Sequence, residues 1–223
     1  MHPNARSLLS GMIIALLVIT ASGSQGAAMD IKTFVRAEYE HGIPYGKAAQ
    51  FDGSVTPTLL TMLKDPQEKK WWGNIIATLG IIGDERAVAP LIDFLEHDIR
   101  GEVDPDLWGA LLAVPQALGH IAAKGDDKAL NYLIANTNGK AWQTKRLPWT
   151  FQGRSGDKLY TPLIKSAIIS LGISAQPRAI QVLEQMQIAP DTPEEAKSAV
   201  SGALKLAGEI KAKGRMGVFG HRH

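Results

Sequence analysis

The chain has 223 residues, 45% of them hydrophobic and 21% charged, and a net charge of +2. That balance excludes wholesale disorder, and 22 Gly with 12 Pro exclude collagen-like and low-complexity readings. A nearly neutral chain also lacks the broad basic footprint that nucleic-acid binding needs, and zero cysteines exclude disulfides, zinc-thiolate sites and iron–sulfur clusters.

At the amino terminus, His2 and Arg6 precede an apolar run from Leu8 to Thr20, followed by the small-residue stretch Ala21 to Ala28. This three-part pattern reads residues 1–28 as a secretory signal. The run is short of the ~20 apolar residues that span a bilayer, so no membrane span is expected after cleavage. The expected location is periplasmic or secreted. Residues 29–50 read as an amino-terminal cap with a helix near 30–40.

Self-similarity dominates the rest. Leu79-Gly80-Ile81, with Arg86-Ala87-Val88 after it, returns as Leu171-Gly172-Ile173 and Arg178-Ala179-Ile180 without a gap. A third copy begins at Leu118-Gly119-His120-Ile121 and a worn one at Leu206-Ala207-Gly208. The marker glycines Gly80, Gly119, Gly172 and Gly208 are 39, 53 and 36 residues apart. A fixed period of this size is the mark of stacked supersecondary units.

Each unit reads as two helices, an A helix and a B helix. Val88, Leu91, Ile92 and Leu95 form one apolar stripe at helical spacing. The pairs expected are 55–64 with 69–79, 86–97 with 105–121, 127–135 with 159–172, and 176–187 with 193–210. Asp84 caps the second A helix, and Asp65-Pro66, Asp104-Pro105 and Thr192-Pro193 are cap-then-proline starts. Each marker glycine either admits close helix contact or ends its helix in a left-handed turn. His120 then reads as an exposed cap at a helix end. Of the adjacent Trp71 and Trp72, pointing about 100° apart on a helix, one belongs to the core. No window alternates with period two, so no sheet is expected.

The run from Ala77 to Leu95 closely resembles the HEAT-repeat consensus, in the short form shared with phycobilin lyases. The resemblance covers about 51–210. It implies an all-α, right-handed α-solenoid of about four HEAT-like helix pairs behind an amino-terminal cap. HEAT arrays serve mostly as binding scaffolds, so the resemblance implies a non-enzymatic protein that binds a protein partner. With the signal read at 1–28 the expectation is an exported scaffold, working as a monomer. The alternative is an accessory enzyme of the HEAT class, phycobilin-lyase-like or hydroxylase-like. Di-iron hydroxylases resemble the chain in repeat but rely on His-Glu dipeptides, and none occurs here. No serine elbow or phosphate-cradling glycine motif is present. Hence no catalytic residue, cofactor or metal is expected.

The long interval between markers holds an insertion, 139–160. Lys140, Lys145, Arg146, Arg154 and Lys158 accompany Trp142, Trp149, Phe151 and Tyr160, with Asp157 the one acid. Mixed arginine and aromatic side chains are typical of interface anchors. The aromatics also suit pinning the loop to the solenoid. Four aromatics favour binding, and on that reading the partner contacts are Lys145, Arg146, Trp149, Phe151, Arg154 and Tyr160. The preceding link, 96–106, carries Glu96, Asp98, Glu102, Asp104 and Asp106. Links of neighbouring repeats emerge on one edge, so these acids should lie beside the basic insertion. The last segment, 211–223, is rich in Lys, Gly, Arg and His and reads as a flexible tail.

Overall fold

A computed structural model of the chain describes residues 29–154, 156–190 and 192–220. The signal assigned to 1–28 and the histidines 221 and 223 lie outside these residues. Two short helices, α1 (Ile31–Val35) and α2 (Tyr45–Ala48), precede four helix pairs. The A helices are α3 (Thr56–Leu63), α5 (Val88–Asp93), α7 (Asp127–Ala135) and α10 (Pro177–Ile188). Their B partners are α4 (Trp72–Ile82), α6 (Pro105–Ala122), α9 (Asp157–Ser174) and α11 (Glu194–Phe219). The B helices form a continuous row, α4 on α6, α6 on α9 and α9 on α11. This is an all-α helical-repeat fold.

The caps are local chemistry. Asp65, Asp84, Asp104 and Asp126 each accept a backbone N–H from the first turn they precede. Hydrogen bonding from Arg86 holds the Asp84 carboxyl down at about 2. Pro193 itself occupies the cap position before α11, with no side-chain cap, so Thr192 does not play the part its position implied. The A helix of the second pair starts as a 3-10 turn, Glu85–Ala87, and ends in a wide π turn, Phe94–Asp98.

Three of the four marker glycines, Gly80, Gly119 and Gly172, are crossing points, not helix ends. A Cβ at Gly80 would stand 2.7 Å from the Ala117 side chain. At Gly119 it would meet the Ser170 carbonyl at 2.6 Å, and at Gly172 the Ala203 Cα at 2.8 Å. Helices α4, α6 and α9 therefore each seat the next B helix's backbone on a bare glycine. Gly208, on the last B helix, has nothing within 4 Å. Leu79, Leu118 and Leu171, one residue before the glycines, are fully buried in the common core. Trp72 joins them, donating from Nε1 to the Met62 carbonyl at 3.3 Å, while Trp71 is half-buried under Lys70.

The first end is sealed by α1 and the turn after it. Asn74 of α4 donates to the Val35 and Ala37 carbonyls at 3.0 and 3.1 Å, and Arg36 pairs with buried Glu68.

Three expectations need correction. Two strands do form, β1 (Gly101–Val103) and β2 (Trp149–Phe151), paired in parallel. Each is three residues long, too short to show alternation in a sequence window. The expected flexible tail is helical as far as Phe219, with a break at Gly214 (φ 70°, ψ 167°). Beyond that break Arg215 donates to the Ile173 and Ser174 carbonyls at the end of α9, which have no helical partner of their own. Phe219 is buried against Tyr45 and His120, with ring centroids 5.4 and 5.2 Å away. His120 is correspondingly no exposed cap. It sits within α6, partly buried between Tyr45 and Phe219. Burial first, then the charges of Arg215 and Lys124, push its pKa down to about 3.

Candidate functional site

The insertion begins at α8 (Gly139–Lys145), capped by Asn138, whose side chain accepts from the Ala141 N–H at 3.0 Å. Trp142 of α8 is fully buried and donates from Nε1 to the Asn136 carbonyl at 2.9 Å. Asn136 ends α7, so its carbonyl has no partner in the helix, and the indole supplies one. Arg146 then closes α8 in a left-handed conformation (φ 49°), turning the chain toward β2.

β2 adds a strand to the acidic link. Gly101, Glu102 and Val103 stand opposite Trp149, Thr150 and Phe151. Side chains two apart on a strand share a face, so Trp149 and Phe151 enter the core together, 1% and 6% exposed. The Trp149 Nε1 donates to the Leu95 carbonyl at 2.7 Å. That carbonyl lies in the π turn. Trp108 of α6 stacks on Phe151 at 4.7 Å and 7°, and meets the edge of Trp149 at 5.7 Å.

The charges interlock as the shared edge implied. Glu96, 8% exposed, accepts from Lys145 Nζ at 2.6 Å and from the Tyr132 hydroxyl at 2.7 Å. Lys145 also lies over the rings of Tyr132 and Trp142, 4.9 and 5.7 Å from their centroids. Burial and the hydrogen bond to Glu96 push the Tyr132 pKa upward. Glu102 accepts from the Thr150 hydroxyl, and its carboxyl is held below its ordinary pKa chiefly for that reason.

The six residues singled out in the sequence thus divide. Trp149, Phe151 and Lys145 are committed inward. Tyr160, near the start of α9, is half-buried against the core. Arg146 and Arg154 are exposed. Arg154 lies 5.6 Å from the Phe151 ring and donates to the Gln152 side chain at 3.2 Å. Lys140 and Lys158 are also exposed. None of these four cations forms an ion pair among the described residues. What the sequence did not single out is the receiving side, Trp108, Tyr132 and Asn136. Each lies on a regular helix or at its end and looks like ordinary repeat sequence until the insertion docks on it.

Among the described residues, no three His, Asp or Glu side chains come together as a cation site. No helix there is long and apolar enough to cross a membrane.

A stack of helix pairs with a glycine at each crossing defines a helical-repeat protein, and one unit of it has a family match. Residues 73–97 match the PBS lyase HEAT-like repeat. With the four-pair stack, this match supports a HEAT-repeat family for the chain. No curated protein matches significantly, and no solved structure does.

Proposed function

We propose that the chain is an exported, non-enzymatic scaffold that holds a protein partner on the outer edge of the insertion. The observation that carries this reading is the contrast within 139–160. Its backbone is fixed to three elements by Trp142, Lys145, Trp149 and Phe151, while Arg146, Arg154, Lys140 and Lys158 face solvent without ion pairs among the described residues. A cation on a fixed backbone loses less freedom on binding than one on a mobile loop. The partner surface that fits is acidic and able to meet two guanidinium and two ammonium groups at once. The sequence reading of 1–28 supports export, and a monomer is the simplest working state.

The test is capture of envelope proteins by the wild-type chain and by the Arg146→Glu, Arg154→Glu double variant. The charge reversals should abolish capture of a partner held by the wild type and leave the melting temperature unchanged. Equal capture by both overturns the reading. Deleting the insertion is the poorer test, because it would remove Trp149 and Phe151 from the core. The accessory-enzyme alternative has one observation in its favour, the lyase-type repeat to which residues 73–97 are similar.

A further inference from the structure

The A helices cover one side of the B-helix row. On the other side α2 and the last turns of α11 meet. Ile173, Ile210 and Phe219 form a second buried apolar cluster there, flanked by Tyr45, Leu206 and Val218. Next to it lies a cavity of about 340 Å³ whose walls include Ile81 of α4, Gln116 and His120 of α6, and Ile169 and Ile173 of α9. Ile169 and Ile173 are one helical turn apart, on the side of α9 away from buried Ile168 and Leu171. This cavity is distinct from the insertion and lies within the size range of small-molecule sites.

Its polar end is unusual. Arg215 Nη1 lies 3.3 Å from His120 Nδ1. A guanidinium only donates, so Nδ1 accepts and the ring proton is assigned to Nε2. Nε2 has no partner among the described residues. Arg215 itself is bonded to the Ile173 and Ser174 carbonyls, to this neutral ring and to the Tyr45 hydroxyl, and pairs with no carboxylate among the described residues. Burial lowers its pKa, opposed by the neighbouring Tyr45 hydroxyl. The cavity thus joins isoleucine walls to a polar side made by His41, Gln116 and His120, with the partly desolvated Arg215 cation behind His120. That is the electrostatic complement of a single anionic group on an apolar body.

We propose that the cavity is a binding site for a small amphipathic acid. Its carboxylate accepts from His120 Nε2–H in the field of Arg215, and its apolar body packs between Ile81, Ile169, Ile173 and Leu206. Gln116, one turn before His120, supplies a second polar contact at the same end.

Calorimetric titration of the full chain with hexanoate, octanoate and decanoate tests this, with octan-1-ol and octylammonium as controls. At least one alkanoate should bind, and about tenfold or more tighter than either control. His120→Phe keeps a ring between Tyr45 and Phe219 but deletes the donor, and should weaken alkanoate binding about tenfold or more. Ile169→Trp, at a partly exposed position on the cavity wall, should block the site with the fold retained, as circular dichroism reads it. This variant decides the matter if His120→Phe does not fold. No binding of any alkanoate, equal binding of octylammonium, or alkanoate binding unchanged by Ile169→Trp overturns the proposal. Because the insertion takes no part, these results are independent of capture through Arg146 and Arg154.

Discussion

Replacing glycine by alanine inside a helix ordinarily stabilises it by about 0.5–1 kcal/mol, because alanine has less backbone freedom to lose. At Gly80, Gly119 and Gly172 the sign should reverse. Carbon atoms sit comfortably ~3.5–4.0 Å apart. A Cβ at Gly80 would lie 2.7 Å from the Ala117 side chain and nearer still to the Ala117 Cα. The obstacle is backbone, so no rotamer change relieves it. Helix α6 would have to retreat from α4 by roughly an ångström, loosening the contacts of Ile76, Leu79, Val114 and Leu118 together. Overpacking of this kind costs ~1–3 kcal/mol, and a rigid backbone obstacle belongs at the upper end. Subtracting the usual helix gain leaves Gly80→Ala destabilised by about 2 kcal/mol. For a chain of this length that is a fall of about 4–8 °C in melting temperature.

Gly208 provides the control, since it has the same place in its unit but no B helix beyond it. Gly208→Ala should hold or raise the melting temperature, by up to about 4 °C. Thermal unfolding followed by far-ultraviolet circular dichroism, with urea titration as a second measure, separates the two. If Gly80→Ala and Gly208→Ala behave alike, the crossing-point account of the marker glycines is wrong.

Three further outcomes are expected. Trp149→Ala should lower stability by ~3–5 kcal/mol in urea unfolding, as for other buried large aromatics; an unchanged midpoint would show that β2 does not anchor the insertion. Leu171→Ala should cost ~2–5 kcal/mol, with the loss greatest for amide protection in α9 and α11 by hydrogen exchange. His120 titrates at ~6.5 in an unfolded chain and at about 3 when folded, so on acidification the unfolded state takes up the proton first. Its contribution is whole above pH ~6.5 and is lost as pH falls toward the folded value, by at most ~1.4 kcal/mol per pH unit and less for a partly exposed ring. His120→Phe should therefore flatten the stability profile between pH ~7 and ~5, and a parallel profile would refute the assignment.

The helix pairs were legible because they rest on local signals. Val88, Leu91 and Leu95 repeat at helical spacing, Asp84 caps the A helix after it, and the Leu-Gly step recurs in register. The glycines were half legible. Sequence offered close approach or a left-handed end, and the choice depends on a neighbouring helix dozens of residues away. The insertion was legible as composition but not as placement. The partners of Trp142 and Trp149 are the carbonyls of Asn136 and Leu95. These need partners because a helix happens to end there, which no property of the residue types reveals. The carboxyl-terminal segment was misread for a related reason. Gly214, Gly217 and Gly220 lower local helix propensity, whereas its order comes from tertiary partners of Arg215 and Phe219.

Anchoring and display are not competing fates for one loop. An aromatic side chain spent on a partner must stay in water while the protein is alone, and exposed aromatic surface invites association with anything apolar. In this chain Trp142, Trp149 and Phe151 are buried in the free state, so their apolar area is already used in folding. Two of the three indole N–H groups involved, those of Trp142 and Trp149, meet carbonyls at helix ends. The folded insertion still offers charge in a fixed arrangement. Lys145 is consumed by Glu96, and Lys69 by Asp104, so the acidic link neutralises its neighbours unevenly. The remainder at this edge is cationic: Arg146 and Arg154 with Lys140 and Lys158. Exposed pairs formed by such groups are worth only ~0–1 kcal/mol each, so strong binding here requires several at once, held in register by the buried indoles beneath them. Recognition of that kind weakens with salt, whereas an interface built on Trp149 and Phe151 would not.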